Sequence, residues 1–208
     1  MDLTRAVREF WDADAPTYDD SPDHRQSSAR EAAVWTAVVQ RHLPEPCRVL
    51  DVGAGTGFLS LTAARLGHHV TAVDLSEGML ARLKATAHRE GLAVEVQQAT
   101  AEEPPEGPFD AVMERLLLWT LPDPGAALAS WRRVAPGGRL LLVEGMWGPG
   151  AGYLERCRAR LRHRGQHLTR SHHHHNGGYS EEMVAALPLS RNMDPDTVVD
   201  LAGAAGWR

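Results

Sequence analysis

The 208-residue sequence is poor in cysteine, in lysine and in long apolar stretches, and each shortage excludes a class of protein. Its two cysteines, Cys47 and Cys157, are too few for a disulfide framework and match no zinc-binding spacing. No apolar run approaches the roughly 20 residues that a membrane-spanning helix needs. A net charge of −5 argues against general nucleic-acid binding, which favours a basic surface. We therefore expect neither a membrane nor a nucleic-acid partner.

The remaining composition is that of a globular protein. Hydrophobic residues make up 43% of the chain and charged residues 24%, and the length suits one compact domain. Residues 1–5 are mainly polar and lack a secretory apolar core, so the sequence predicts a cytoplasmic location. Lys84 is the only lysine among 22 basic residues. A GC-rich genome accounts for that bias, and the arginines alone therefore indicate no function.

The centre of the sequence alternates between short apolar runs and amphipathic segments. The predicted strands are residues 48–52, 70–74, 94–97, 109–113 and 139–143. The predicted helices are residues 4–13, 29–42, 58–66, 76–90, 124–134 and 195–205, with one more around Leu154, Cys157 and Leu161. Strands and helices in alternation predict an α/β fold with a doubly wound, mainly parallel sheet and helices on both faces. Within this single domain we distinguish an N-terminal helical cap (1–45), a core (46–145) and a substrate-side segment (146–208).

Glycines follow the first predicted strand at positions 53, 55 and 57. They allow a tight turn and let the backbone approach a ligand without side chains in the way. Asp74 closes the next strand, where a carboxylate can accept hydrogen bonds from both ribose hydroxyls of a nucleoside. The preceding strand, the following helix and the spaced acid together favour a nucleoside-binding loop over a tight turn without a ligand.

Two cofactor classes compete for this loop. Dinucleotide enzymes use the pattern G-x-G-x-x-G and place the pyrophosphate at the helix N-terminus. In this sequence Phe58 stands where that pattern has its third glycine. Asp51 lies just ahead of the glycines, where its charge would repel a pyrophosphate but would suit a cationic ligand.

Six segments in order then identify a family. They are residues 10–19, 50–57, 73–80, 99–102, 109–112 and 136–140. With them the sequence resembles the class I S-adenosylmethionine-dependent methyltransferases, in their small-molecule (methyltransferase type 11/25-like) branch. The resemblance implies a Rossmann-like fold, the cofactor S-adenosylmethionine and the product S-adenosylhomocysteine. It also implies methyl transfer to an O, N, C or S atom of a small molecule.

The resemblance also implies roles for individual residues at the cofactor. Asp51 would contact the amino group, Asp74 the ribose, and the backbone N–H of Ala101 the adenine. Thr100 stands where the family usually has an aspartate, so its bond to adenine would be weaker, and Glu102 can compensate. The full set of expected cofactor contacts is Tyr18, Asp51, Gly53, Ala54, Gly55, Gly57, Asp74, Leu75, Met79, Thr100, Ala101, Glu102 and Glu114.

The substrate should lie beyond the carboxyl ends of the fourth and fifth strands. Glu114 and Glu144 end these strands and are the candidate catalytic bases, together with a histidine from residues 163–175. Alternatively, Glu144 pairs with Arg115. The candidate substrate contacts are Tyr18, Arg115, Trp119 and Trp147, although either tryptophan would also suit the core.

Four successive histidines, 172–175, raise the question of a metal. Adjacent residues in a loop do not preset a tetrahedral site, so we predict a solvated loop and no metal. His163, His167 and His172 are the alternative ligands.

The resemblance implies two further strands after residue 208, so the closing strands are expected to be missing. An unpaired edge at the fifth strand would then invite a second copy of the chain, and we hypothesise a homodimer or a masked edge. A non-catalytic methyltransferase-fold protein that acts through a partner or as a dimer is the alternative function. A nicotinamide oxidoreductase is disfavoured by the missing third glycine and by the absence of a Tyr-x-x-x-Lys pair.

Overall fold

A computed structural model describes residues 2–145 and 179–208. Several sequence predictions lie outside these residues. They concern Trp147, the helix around Leu161, and the histidines between 163 and 175.

Helices and strands alternate in the described residues as the sequence predicts. The helices are α1 (Leu3–Asp14), α2 (Ala29–His42), α3 (Phe58–Arg65), α4 (Glu77–Glu90), α5 (Pro124–Val134), α6 (Glu181–Ala186) and α7 (Pro195–Ala204). The strands are β1 (Arg48–Val52), β2 (His69–Asp74), β3 (Val94–Gln98), β4 (Ala111–Arg115) and β5 (Arg139–Val143). Short 3₁₀ turns span Tyr18–Asp20, Pro22–His24 and Leu118–Thr120.

All five strands are parallel and lie in the order β3-β2-β1-β4-β5. The order reverses beside β1, because the chain adds β2 and β3 on one side and β4 and β5 on the other. Ligands of open α/β sheets bind at such a reversal, beyond the carboxyl ends of the strands. The predicted doubly wound fold is therefore confirmed, and its topology locates the site beyond β1 and β4.

Strand β4 begins two residues later than the sequence predicts, at Ala111 instead of Phe109. The N–H of Phe109 donates to the carbonyl of Val134, at the end of α5, so Phe109 does not enter the β-ladder. The strand accordingly extends to Arg115. Glu114 and Arg115 thus belong to the strand itself and not to the loop beyond it.

Apolar side chains cover both faces of the central strands, as expected for a parallel sheet between helices. Val49, Leu50 and Val112 are fully buried, and so is Trp131 of α5. The indole Nε1 of Trp131 donates to the carbonyl oxygen of Ala101 at 2.7 Å. Trp131 therefore ties the core to the turn that follows β3.

Helix α1 docks onto the start of α4 through one carboxylate. Asp12 Oδ1 accepts hydrogen bonds from the Ser76 hydroxyl at 2.6 Å and from the Gly78 N–H at 3.1 Å. A Cβ at Gly78 would lie 3.0 Å from the Cβ of Ala15, so glycine permits this close approach. The docking brings the N-terminal residues over the carboxyl ends of the strands.

Strand β5 forms one edge of the sheet within the described residues. The absence of closing strands and the cover of this edge by a second copy stay predictions. The helices in the described ranges include none with the length and apolar character to cross a membrane.

We expect Trp131→Phe to lower the free energy of unfolding by about 2–4 kcal/mol, because it leaves a cavity and an unpaired buried carbonyl at Ala101. Chemical denaturation of the two proteins measures the difference. Trp35→Phe is the matched control, since Trp35 is only half-buried and its edge contact with Phe58 survives in phenylalanine. Equal losses in both variants would contradict the prediction.

Candidate functional site

The glycine loop packs tightly on one side and opens on the other. Gly53 (φ 66°) and Gly57 (φ 98°) have left-handed backbones, and a Cβ at either would collide with a leucine, 2.7 Å from Leu117 Cδ1 or 2.8 Å from Leu83 Cγ. At Gly55 (φ 55°) a Cβ would meet no atom within 4 Å, because this residue faces open space. The loop therefore presents bare backbone to a ligand.

Asp74 holds this loop from the end of β2. Its Oδ2 accepts the Gly55 N–H at 2.8 Å and its Oδ1 accepts the Ser76 N–H at 2.8 Å. Burial raises the pKa of the carboxyl above its ordinary value, and these backbone hydrogen bonds oppose the shift. Each carboxylate oxygen retains a further lone pair, so Asp74 can also accept hydroxyl protons from a ligand.

A large cavity lies beside the loop; its volume is about 880 Å³ when the open solvent at its mouth is included. It brings together most of the sequence-predicted site residues: Tyr18, Gly53, Gly55, Asp74, Leu75, Met79, Thr100, Ala101, Glu102, Arg115 and Trp119. Sequence reasoning missed Thr4 and Val7. Other wall residues lie in segments that it associated with the site without naming them as contacts: Trp11, Val52, Ala99, Leu116, Leu117, Thr120, Leu121 and Pro122. The i, i+4 spacing of Val7 and Trp11 signalled an apolar helix face, but not that this face borders a cavity.

One end of the large cavity is formed by the turn after β3. Trp131 fixes the Ala101 carbonyl of this turn from behind. The hydroxyl of Thr100 accepts the N–H of Glu103 at 3.2 Å. Thr100 therefore closes the turn, and its oxygen keeps one lone pair for a ligand.

A smaller cavity of about 300 Å³ adjoins the first and shares Tyr18, Gly53, Gly55 and Arg115 with it. Asp51 and Ala54 line it, as does Phe58. Asp51 is 2% exposed, accepts a hydrogen bond from the Ser60 hydroxyl, and has its pKa raised to about 7 by burial. Gly57 lines neither cavity and instead packs between α3 and α4.

Arg115 contributes a cation to both cavities. Its guanidinium carbon lies 3.9 Å from the centre of the Phe58 ring, and its Nη2 donates to the Asp23 carbonyl at 3.4 Å. Within the described ranges Arg115 forms no ion pair with a carboxylate, Glu144 included. Burial lowers its pKa, which indicates a desolvated charge available to an anion.

Tyr18 closes the site from the N-terminal cap. Its ring stacks on His24 with centroids 3.9 Å apart, and burial raises its pKa to about 12, so the phenol stays neutral. The neighbouring Asp19 accepts the Thr56 hydroxyl at 2.7 Å and pairs with Arg82 at 3.0 Å. The cap is thus tied to the glycine loop and to α4.

The two candidate bases lie elsewhere. Glu114 is fully buried, and neither Glu114 nor Glu144 is among the described residues that line the two cavities. Both side chains turn back to accept backbone N–H groups of residues 117, 118 and 143. The structure therefore places them behind the cavity wall, because their hydrogen bonds hold that wall.

Trp119 is 3% exposed and lines the large cavity, so it belongs both to the core and to the site. Trp147 lies outside the described residues, and so do the histidines proposed as bases or metal ligands. Within the described ranges no three His, Cys, Asp or Glu side chains converge on a common point as metal ligands would.

Comparison with known proteins identifies the domain. Residues 50–142 match the model of the methyltransferase domain family. A curated relative, the ubiquinone biosynthesis O-methyltransferase of Xanthomonas axonopodis pv. citri (strain 306), is 37% identical over 139 residues, which are 64% of this chain and 54% of the relative. The enzyme of the same name from Pseudomonas aeruginosa (strain UCBPP-PA14) is 39% identical over 99 residues, 46% of this chain and 43% of the relative. The chain thus spans about half the length of these relatives.

Solved structures share the architecture. The CcbJ methyltransferase from Streptomyces caelestis superposes with a TM-score of 0.53 at 26% identity, over 64% of this chain and 56% of its own. A phosphoethanolamine N-methyltransferase from Haemonchus contortus, solved with phosphomonomethylethanolamine and S-adenosylhomocysteine, gives a TM-score of 0.64 at 23% identity, over 96% of this chain and 44% of its own, and shows the fold alone. Residues 50–142 of the chain therefore match the methyltransferase domain family, in agreement with the resemblance that the sequence motifs indicated.

Proposed function

We propose that the protein binds S-adenosylmethionine and transfers its methyl group to a small molecule. One observation carries this proposal: two adjoining cavities meet at the bare glycine loop. One of them contains the acid suited to a nucleoside, Asp74, and the other contains the buried acid Asp51 and the cation of Arg115. A nucleoside joined to an amino acid has the same two-part chemistry. The names of the curated relatives favour an oxygen atom as acceptor.

The residues present fit the cofactor. Asp74 offers lone pairs to the ribose hydroxyls, and the 99–102 turn offers backbone groups to the adenine. Asp51 and Arg115 face the smaller cavity without forming an ion pair with each other, so they can receive an ammonium and a carboxylate of opposite charge. We therefore assign Arg115 to the cofactor's carboxylate, where the sequence had suggested the substrate.

When bound, the cofactor supplies a methyl group on a sulfonium, which is already a good leaving group. The protein then has to align an acceptor atom with the methyl group and exclude water. Leu116, Trp119 and Leu121 give the large cavity an apolar wall for a hydrophobic acceptor, and Trp11 faces them from α1. Tyr18 lines both cavities on the side of the N-terminal cap.

The alternative is a methyltransferase-fold protein without catalytic activity that acts through a partner or as a dimer. The position of Glu114 and Glu144 behind the cavity wall favours this alternative, because it removes two candidate bases. A substrate whose acceptor atom ionises by itself needs no such base, however, so binding has to be tested before turnover.

We expect S-adenosylhomocysteine to bind, and Asp74→Ala to weaken it about 100-fold, because the variant removes charge-assisted bonds to the ribose and one support of the glycine loop. Titration calorimetry measures both affinities. Glu77→Ala is the matched control, since Glu77 is an exposed acid three residues away that lines neither cavity.

A competition titration in the same calorimeter distinguishes a nicotinamide cofactor from S-adenosylmethionine. NADH, added first, should leave S-adenosylhomocysteine binding unchanged. No S-adenosylhomocysteine binding by a wild-type protein with a cooperative melting transition would overturn the proposed cofactor. Binding without methyl transfer to any acceptor tested would favour the non-catalytic alternative.

We expect Arg115→Met to weaken S-adenosylhomocysteine roughly 10- to 100-fold, because a charge-assisted bond to the carboxylate is lost. Methylthioadenosine lacks the amino-acid part, so its affinity should stay unchanged. Methionine preserves a long side chain over Phe58, and Arg115→Lys should restore part of the affinity because it restores the charge. An equal loss for both ligands would show that Arg115 acts on the shape of the site and not on the carboxylate.

A further inference from the structure

The turn that follows β4 has a strained backbone. Leu116 is the only non-glycine residue in the described ranges with a positive φ, at 60°. A leucine in this region costs free energy, and such a conformation persists only where its surroundings enforce it. Residues 116–118, which we name the 116–118 turn, form part of the large cavity's wall through Leu116 and Leu117. The strain therefore lies at the site.

Two carboxyl groups enforce this conformation. Glu114 accepts the Leu117 N–H at 2.9 Å through Oε2 and the Val143 N–H at 3.1 Å through Oε1. Glu144 Oε1 accepts the Leu118 N–H at 2.7 Å. Because the two glutamate side chains accept these backbone N–H groups, the turn does not depend on the hydrogen bonds of a regular β-ladder. Leu117 is thereby pressed against Gly53, where a Cβ would collide with it.

The two carboxyl groups also contact each other. Glu144 Oε2 is buried and has no hydrogen-bond donor among the described residues. The Glu114 and Glu144 side chains lie within hydrogen-bonding range of each other. Two ionised carboxylates offer no hydrogen to each other, so the contact is favourable only with a proton between them. Burial and mutual repulsion raise the pKa of Glu114 well above its ordinary value, and burial raises that of Glu144 to about 7. Arg115 acts on Glu114 along β4, and Asp51 lies on the adjoining β1.

We propose that Glu114 and Glu144 share one proton and that this protonated pair positions the 116–118 turn against the glycine loop. Both are then positioning residues and not catalytic bases. Loss of the proton places two negative charges side by side in the interior, which weakens the hold on the turn. The site is thereby linked to pH through a pair that touches no ligand.

The direction in which stability changes with pH follows from the raised pKa values of the two glutamates. An unfolded glutamate loses its proton near pH 4.3, whereas in the folded protein the pKa of Glu144 is about 7 and that of Glu114 is also raised. Between these values the folded protein holds more protons than the unfolded chain, so its stability falls as pH rises. The melting temperature should fall by roughly 3 °C per pH unit from this source.

The test compares two substitutions of similar size. In Glu144→Gln, the amide oxygen can accept the Leu118 N–H and the amide N–H can donate to Glu114, so the variant mimics the protonated pair. In Glu114→Gln, only one of the two side-chain atoms can accept a hydrogen bond. In either orientation of the amide, its NH₂ group therefore faces the N–H of Leu117 or of Val143, and two donors meet. We expect Glu144→Gln to fold and to lose roughly 3 °C per pH unit of the wild-type slope between pH 5 and 7. We expect Glu114→Gln to melt lower at every pH.

Two further variants complete the experiment. Glu106→Gln, at an exposed acid, should keep the wild-type slope. Glu144→Met should melt lower than Glu144→Gln, because it can neither accept the Leu118 N–H nor donate to Glu114. Wild-type slope in Glu144→Gln, failure of that variant to fold, or equal melting temperatures for the two glutamine variants would each overturn the proposal.

These melting experiments use the protein without ligand, so they are independent of the proposed function. A second measurement connects the pair to the site. The affinity of Glu144→Gln for S-adenosylhomocysteine, divided by that of the wild type, should rise from pH 6 to pH 8.5. Over this range only the wild-type protein loses the proton that its two glutamates share. A constant ratio would show that the pair supports the fold without positioning the cavity wall.

Discussion

The arrangement of the site depends on the Asp74 carboxylate. It lies at the end of β2, accepts the N–H of Gly55 from the loop after β1, and accepts the N–H of Ser76 ahead of α4. Ser76 in turn donates to Asp12 of α1. A single carboxylate therefore connects the glycine loop, the start of α4 and the N-terminal cap, and backbone hydrogen bonds offset its desolvation. A shorter or uncharged side chain could not reach both loops with an acceptor.

The stability of the fold alone does not explain the positions of two ionisable side chains at the cavities. Asp51 and Arg115 line the same small space, but each is held by neutral partners, Ser60 in one case and the Phe58 ring in the other. Burying an acid and partly burying a guanidinium, with no ion pair between them among the described residues, costs free energy. This cost arises at the place where a ligand with complementary charges would neutralise both side chains. Natural proteins commonly retain such unfavourable features at functional sites.

The sequence predicts the fold well because its signals are local. Alternating apolar runs, the glycines of the loop and the acid at position 74 each depend on a few neighbouring residues, and the structure has them as predicted. The long-range contacts carry no such signal. Nothing in the sequence links Trp131 to the Ala101 carbonyl, or Asp19 to Thr56 and Arg82, because these partners are 30 or more positions apart.

Glu114 and Glu144 show the limit most clearly. Their positions at the ends of β4 and β5 predict side chains that face the ligand. That prediction is valid only if the chain continues away from each strand without folding back. The left-handed residue at Leu116 instead folds the chain back, so that its N–H groups compete for the carboxylates. Neither acid can reach an acceptor atom without releasing the turn that forms the cavity wall. For the methyl transfer that we propose, the described residues would therefore supply alignment and exclusion of water, which suits an acceptor that ionises near neutral pH without a base.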